Sequence, residues 1–152
     1  MKIPNAALAY REAASLGASP LGVVVLLYDR LAHDIYGAVA AMKSEDIELR
    51  SAHVNHALLI LQELQGKLDF SSGRAAARQL DAFYSHVRGK LLEAQIRRSP
   101  ELLLEQARAL LQVRECWAQL DAGNREPQPI MLGSSQAPEV VENKTRSAGW
   151  GA

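Results

Sequence analysis

The sequence is poor in the residues on which several classes of protein depend. It contains a single cysteine, Cys116, so neither an internal disulfide nor a cysteine-based zinc site can form. Its 17 basic and 17 acidic residues give a formal net charge of zero, without the positive excess typical of nucleic-acid-binding domains. Aromatic residues make up only 5% of the chain, whereas Ala and Leu are abundant, and this balance favours helices over sheets.

Long apolar segments are also missing. No apolar run approaches the roughly 20 residues that a membrane-spanning helix needs, and none follows the first residues as it would in a signal peptide. A lone cysteine is compatible with a reducing compartment. We therefore expect a cytoplasmic protein with no membrane insertion and no nucleic-acid partner. The 152 residues are enough for one domain.

Four segments in which apolar residues recur at spacings of three and four predict four helices. Ser19-Pro20 and Ser99-Pro100 are typical helix starts, because serine caps orphan backbone amides and proline fits the first helical position. We expect the first helix to end near Lys43, the second to start around Asp46, and the turn Ser71-Ser72-Gly73 to separate the second helix from the third. The short connections predict an all-α fold, an antiparallel up-down four-helix bundle.

The composition divides the chain into three parts. Residues 1–18 form a short N-terminal leader, in which Pro4 and Gly17 interrupt any long helix. Residues 19–122 form the bundle. Residues 123–152 form a C-terminal tail rich in Pro, Gly and Ser without apolar periodicity, which we expect to be irregular, either extended or disordered.

Helices one, two and four contain more apolar residues than one core-facing stripe requires. Leu58 to Leu61 are four successive apolar residues that point in nearly every direction, since consecutive helical residues differ by about 100°. Either these helices are buried on several sides, or they present an apolar groove that binds an amphipathic helix of another chain. The groove candidates, chosen because they lie off the core stripes, are Val25, Leu59, Ile60, Leu104 and Leu111.

No pattern indicates a metal, cofactor or catalytic site. His53 and His56 share one helix face, but no Glu stands three residues before any histidine, as carboxylate-bridged metal bundles require. We therefore expect surface or capping histidines. Arg50 and His56 resemble the loose Arg-x4-6-His motif of HEPN ribonucleases, in which histidine would transfer a proton and arginine would hold phosphate. Cys116 is expected to be a small buried residue.

Arg114 interrupts the apolar stripe of the fourth helix. A salt bridge to Asp29 or Asp69 of a neighbouring helix would explain its position, because its aliphatic stem can lie along apolar surface. A stripe that is one residue out of phase would explain it equally, with Arg114 simply facing water.

Several short motifs occur in an order that spans residues 8 to 120. They are Ala18-Ser19-Pro20, Leu26-Leu27-Tyr28-Asp29, Ala57 through Leu64 with Leu68-Asp69, Leu80 with Phe83-Tyr84, Leu91-Leu92-Glu93-Ala94-Gln95, and Leu110-Leu111-x-x-Arg114-Glu115-x-Trp117. Each alone is an ordinary helical pattern, but in this order they resemble the flagellin export chaperone family, FliS. Gly17, Arg30 and Gln95 depart from the usual family residues.

The resemblance implies a protein that is not an enzyme. It implies a cytosolic chaperone that binds the disordered C-terminal segment of flagellin, prevents premature polymerisation and presents the subunit to the export apparatus for flagellum assembly. The family's leader carries a tyrosine that Tyr10 matches, which suggests that the segment around Leu8 and Tyr10 covers apolar surface until flagellin displaces it. The alternatives are another helical secretion adaptor on the same scaffold and, more distantly, a HEPN-like ribonuclease.

Overall fold

The structure, a computed structural model, describes residues 19–71 and 74–125, and the leader and residues 126–152 lie outside these ranges. The described residues form four helices and no strand: α1 Pro20–Lys43, α2 Ile47–Gly66, α3 Arg74–Arg97 and α4 Pro100–Arg125. The predicted all-α class is confirmed, and α1 and α4 begin at their Ser-Pro signals. The compact unit that contains the bundle ends at Asp121, and α4 runs on through Gly123.

Side chains cap the first turn of three helices. The hydroxyls of Ser19 and Ser99 each accept a hydrogen bond from the backbone N–H three residues ahead, at 3.0 and 3.1 Å. The carboxylate of Asp46 does the same for α2 at 3.0 Å. Glu45 and Arg98 have positive φ angles of 58° and 51°, so the chain reverses within a few residues at both short connections. These local features place successive helices side by side.

Polar contacts show that neighbouring helices run antiparallel. In each pair of neighbouring helices, the contact that lies later on one helix lies earlier on the other. The pairs are Arg50–Gln95 and Gln65–Asp81 between α2 and α3, and Ser19–Asp121 and Asp29–Arg114 between α1 and α4. The predicted up-down bundle is therefore confirmed.

The core lies where the four helices meet, and most of it comes from the predicted apolar stripes. Its fully buried side chains include Leu27, Leu31, Ile35, Val54, Leu61, Leu64, Val87, Leu91, Leu103 and Leu110. Three residues that the apolar stripes predicted to be in the core, Ile47, Ala76 and Leu120, are exposed near helix ends. Side chains at the end of a helix have fewer neighbouring helices to cover them.

Ile60 was expected to lie outside the core, and this expectation is wrong. Its side chain is 0% exposed and belongs to the central apolar cluster. The reason is that α2 packs against α1 on one side, through His56, and against α3 on the other, through Arg50 and Gln65. Its buried face is consequently wider than a single stripe of residues.

Tyr28 of α1 and Tyr84 of α3 meet across the core. Their hydroxyl oxygens are 2.8 Å apart and their ring centroids 6.2 Å apart, and both side chains are buried. Burial raises the pKa of the Tyr28 phenol, an effect partly offset by Tyr84 and Trp117. Burial also raises the pKa of Tyr84 strongly, and its neighbour Tyr28 adds to that rise. The folded chain thus holds both phenol protons more tightly than the unfolded chain does.

This pair predicts a loss of stability in alkali. A raised folded-state pKa gives stabilisation that is complete below the unfolded tyrosine pKa of 10.0 and is lost as the pH rises above it. Urea unfolding at increasing pH should show a steeper decline above pH 10.0 for the wild type than for Tyr28→Phe/Tyr84→Phe. The control is Tyr36→Phe, because Tyr36 is exposed. Parallel declines for the wild type and the double variant would contradict the proposed cause.

Two glycines inside helices lie in opposite environments. A Cβ atom at Gly37 of α1 would come within 2.5 Å of the imidazole of His53, which is itself buried. At Gly89 of α3 no atom would lie within 4 Å of an added Cβ. Glycine is therefore required by packing at the first position and not at the second.

Alanine substitutions should separate these two cases. Gly89→Ala should raise the free energy of unfolding by up to about 1 kcal/mol, because alanine has the higher helix propensity and meets open space. Gly37→Ala should lower it by about 1–3 kcal/mol, because the buried ring of His53 must move. Urea denaturation of the three proteins measures both changes. A Gly37→Ala protein as stable as the wild type would show that His53 relaxes freely.

Candidate functional site

A buried carboxylate, Asp34, joins α1 to α2. Its Oδ1 lies 3.0 Å from Nδ1 of His53, and its Oδ2 is hydrogen-bonded to Nδ1 of His56. All three side chains are buried. The expectation of surface or capping histidines is therefore wrong for His53 and His56, whereas His33 and His86 are exposed. A carboxylate removed from water needs polar partners, and here both come from a different helix.

The histidines do not assemble a catalytic or metal-binding arrangement. Both Nδ1 atoms are engaged with Asp34, and no group of three or more possible metal ligands was found within residues 19–71 and 74–125. Arg50, the other residue of the HEPN-like pattern, donates from Nε to Gln95 of α3 at 2.7 Å. Arg50 and His56 are thus directed to different helices and do not form a common phosphate site.

Cys116 was expected to be buried, and this expectation is wrong because the residue is exposed. It lies on the solvent side of α4, whereas its neighbour Trp117 packs against the core. Adjacent helical residues point about 100° apart, so only one of the two could face inward.

Arg114 forms a two-pronged ion pair with Asp29 of α1. Its Nε lies 2.8 Å from Oδ1 and its Nη2 lies 3.2 Å from Oδ2, and Glu115 approaches to 3.5 Å. The hydrogen bond to Asp29 raises the pKa of Arg114, partly opposed by desolvation. The predicted salt bridge to Asp29 is confirmed. Since both groups are partly exposed, its main consequence is to fix the register between α1 and α4.

Three of the predicted groove residues lie within about three turns of this ion pair, on either side of it because α1 and α4 run antiparallel. Val25 lies one turn before Asp29 on α1, and Leu111 lies about one turn before Arg114 on α4. Leu104 is seven residues before Leu111 and so lies on the same face of α4. All three apolar side chains are half-buried, and Leu104 also packs against the central apolar cluster.

Tyr36 was missed from the sequence and extends the same surface. It lies seven residues after Asp29, hence on the same face of α1, and is exposed. The signal that could have found it is this spacing from the Tyr28-Asp29 motif. We refer to Val25, Tyr36, Leu104 and Leu111 as the α1–α4 seam.

The remaining candidates do not join the seam. Leu59 is 48% exposed on the outer surface of α2, and Ile60 is in the core. Leu8 and Tyr10 lie outside the described residues. No helix among the described residues combines the length and apolar character needed to cross a membrane.

The motif residues are used mainly for contacts between helices. Tyr28 bonds to Tyr84, and Asp29 pairs with Arg114. Trp117 packs against the core from α4. These residues therefore stabilise the packing of the helices. The apolar side chains of the seam take no part in these polar contacts.

The comparison with known families gives a match over nearly the whole bundle. The family described as flagellar protein FliS matches residues 3–124, which include almost all of the four helices. A search among curated proteins finds no match. The chain therefore belongs to the FliS family of flagellar proteins, which is a family of chaperones and not of enzymes.

Proposed function

We propose that the chain is a flagellin-specific export chaperone of the cytosol. It binds the disordered C-terminal segment of flagellin, keeps that segment from polymerising and presents the subunit to the export apparatus for flagellum assembly. The observation that supports this proposal is the α1–α4 seam on a chain of the FliS family, in which three half-buried apolar side chains and the exposed Tyr36 lie around the Asp29–Arg114 ion pair.

The seam has the dimensions of a site for an amphipathic helix. From Val25 to Tyr36, α1 advances eleven residues, or roughly 17 Å at 1.5 Å per residue, which is about three helical turns. A partner helix with apolar residues at spacings of three and four can place one side chain per turn along this length. Partly buried seam residues gain further cover from such a partner, whereas fully buried core residues do not.

The affinity of the chain for the flagellin segment depends on two opposing contributions to the binding free energy. Covering apolar surface contributes roughly 25 cal/mol per Å², but ordering a disordered partner consumes much of this gain. A partner that stays attached must therefore cover more surface than one short groove provides. Leu59 on α2 supplies a second exposed contact for a segment that continues around the bundle.

Charged substitutions in the seam should abolish flagellin binding. Leu111→Asp and Leu104→Asp should weaken binding of a peptide of the last ~40 flagellin residues, about two helices and a linker, by more than about tenfold. The physical reason is that binding would bury an unpaired carboxylate. Calorimetric titration measures the affinity. The matched control is Leu120→Asp, since Leu120 is an exposed leucine of α4 outside the seam.

Two results would overturn the proposal. The first is a wild-type chain that does not bind the flagellin peptide. The second is a folded seam variant, with a wild-type circular dichroism spectrum, that binds as tightly as the control. Because a half-buried leucine also supports the fold, Val25→Ser serves as a milder variant and should give a smaller loss in the same direction.

The leader is proposed to compete with flagellin for the seam. In this proposal the segment around Leu8 and Tyr10 covers the seam in the free chaperone. The apparent affinity for flagellin is then reduced, because only the uncovered fraction of the molecules can bind it. A chain lacking residues 1–15 should bind the flagellin peptide more tightly and bind more of an apolar fluorescent dye. If the truncated and full chains agree in both measurements, the leader does not cover the seam.

A further inference from the structure

The positive charge of this neutral chain is concentrated on one helix. α3 contains five basic residues, Arg74, Arg78, Arg88, Lys90 and Arg97, but only two acidic ones, Asp81 and Glu93, so its net charge is +3. Arg98 follows directly after it. The full chain, in contrast, has a formal net charge of zero. This concentration gives α3 an electrostatic character that overall composition conceals.

Three of these arginines have no partner of opposite charge within residues 19–71 and 74–125. Arg78, Arg88 and Arg98 form no ion pair with any residue that the structure describes. Lys90 and Arg97 differ from them, because both pair with Glu93, at 3.2 and 2.6 Å. The pairs with Glu93 leave the other cations available to an external carboxylate.

Two exposed apolar side chains lie on the same helix face. Arg88, Leu92 and Ile96 follow one another at intervals of four residues, so they occupy successive turns. Leu92 is 45% exposed and Ile96 is 83% exposed, the largest exposed fraction among the described large apolar residues. We refer to Arg78, Arg88, Leu92 and Ile96, together with Arg98 of the connection that follows α3, as the basic α3 face.

The contacts of α3 place this face on the opposite side of the bundle from the seam. Gln95 and Asp81 of α3 bond to α2, while Tyr84 reaches α1 only through the core. The α1–α4 seam, in contrast, lies along the two helices that the Asp29–Arg114 ion pair joins. Ile47 is 60% exposed, and the Arg50–Gln95 hydrogen bond one turn later on α2 sets it beside the end of α3.

We propose that the basic α3 face is a second docking surface, one that binds an acidic amphipathic segment of a protein partner while flagellin occupies the seam. Leu92 and Ile96 would be the apolar anchors, and the unpaired arginines would bond to carboxylates at the rim. Arginine is enriched in protein-binding hot spots, and its planar fork matches carboxylates.

The chemistry of the face favours a protein over other anionic partners. Binding of single-stranded nucleic acid relies on aromatic side chains that stack on bases, and the basic α3 face has none. A membrane-surface helix buries a broad apolar side in the lipid, whereas the apolar side of α3 already lies in the bundle core through Val87, Leu91 and Ala94. Only two large apolar residues of the face remain outside.

A designed peptide tests this surface on the full chain. The probe is a helical peptide of about 20 residues, long enough for five turns, with leucine along one stripe and glutamate on both flanks. Fluorescence anisotropy should show binding that weakens with added salt, and no binding of the same peptide with lysine in place of glutamate. The Ile96→Ser variant and the Arg88→Ser/Arg98→Ser variant should each bind about tenfold more weakly. Their matched controls on α4, Leu120→Ser and Arg108→Ser, should bind as the wild type does.

Each other outcome overturns the proposal. The face is not a docking site if the acidic peptide fails to bind, or if the α4 controls lose as much affinity as the α3 variants. It is not specific for protein if phosphatidylglycerol vesicles or polyuridine bind in place of the peptide. It is not separate from the seam if saturating flagellin peptide displaces the acidic peptide. All variants replace exposed or half-buried surface residues, and circular dichroism confirms their fold.

Discussion

The bundle depends on polar contacts that the middle of α1 makes with each of the other helices. Within two turns, Tyr28 bonds to α3, Asp29 to α4 and Asp34 to α2. Asp34 imposes the strictest constraint, because a buried carboxylate without partners would cost several kcal/mol. Sliding α1 along α2 by one turn would separate Asp34 from both histidines. Apolar side chains tolerate such shifts far better, so the polar contacts select one register among those that the apolar stripes allow.

This arrangement explains why the motif residues and the proposed binding residues are different. Tyr28, Asp29 and Arg114 are consumed by contacts inside the bundle. The side chains that remain at the surface differ in chemistry between the two sides of the bundle. The α1–α4 seam places apolar side chains around the Asp29–Arg114 ion pair and suits the apolar side of a helix, whereas the basic α3 face combines two apolar anchors with arginines that form no ion pair within the described residues. In the proposed function, two surfaces with different chemistry would let flagellin and a second protein bind without competing.

The sequence predicted the helices well and the surroundings of individual side chains less well. The serine caps and the apolar stripes are local signals, and they located the starts of α1 and α4 within the chain. The errors at Ile60, His53 and Cys116 share one cause. The burial of each of these residues depends on how much of its helix the neighbouring helices cover. The apolar pattern of a single helix does not contain that information. For Arg114 the sequence left a salt bridge to Asp29 or Asp69 and a position facing water equally open, and the structure shows the pair with Asp29.

Periodicity, caps and turn residues act over a few positions, so the amino-acid sequence by itself determined the four helices, their antiparallel order and the surplus of apolar residues. Tertiary structure decided which of those apolar residues are core and which are surface, as Ile60 and Leu59 show on adjacent positions of α2. It also decided which polar groups meet, since Asp34 and its histidines lie on separate helices. The asymmetry of charge was present in the sequence of α3, but only the packing of that helix showed that exposed Leu92 and Ile96 lie beside arginines without an ion pair in the described part of the chain. Pairings between distant residues depend on how whole helices pack, and no local rule fixes that.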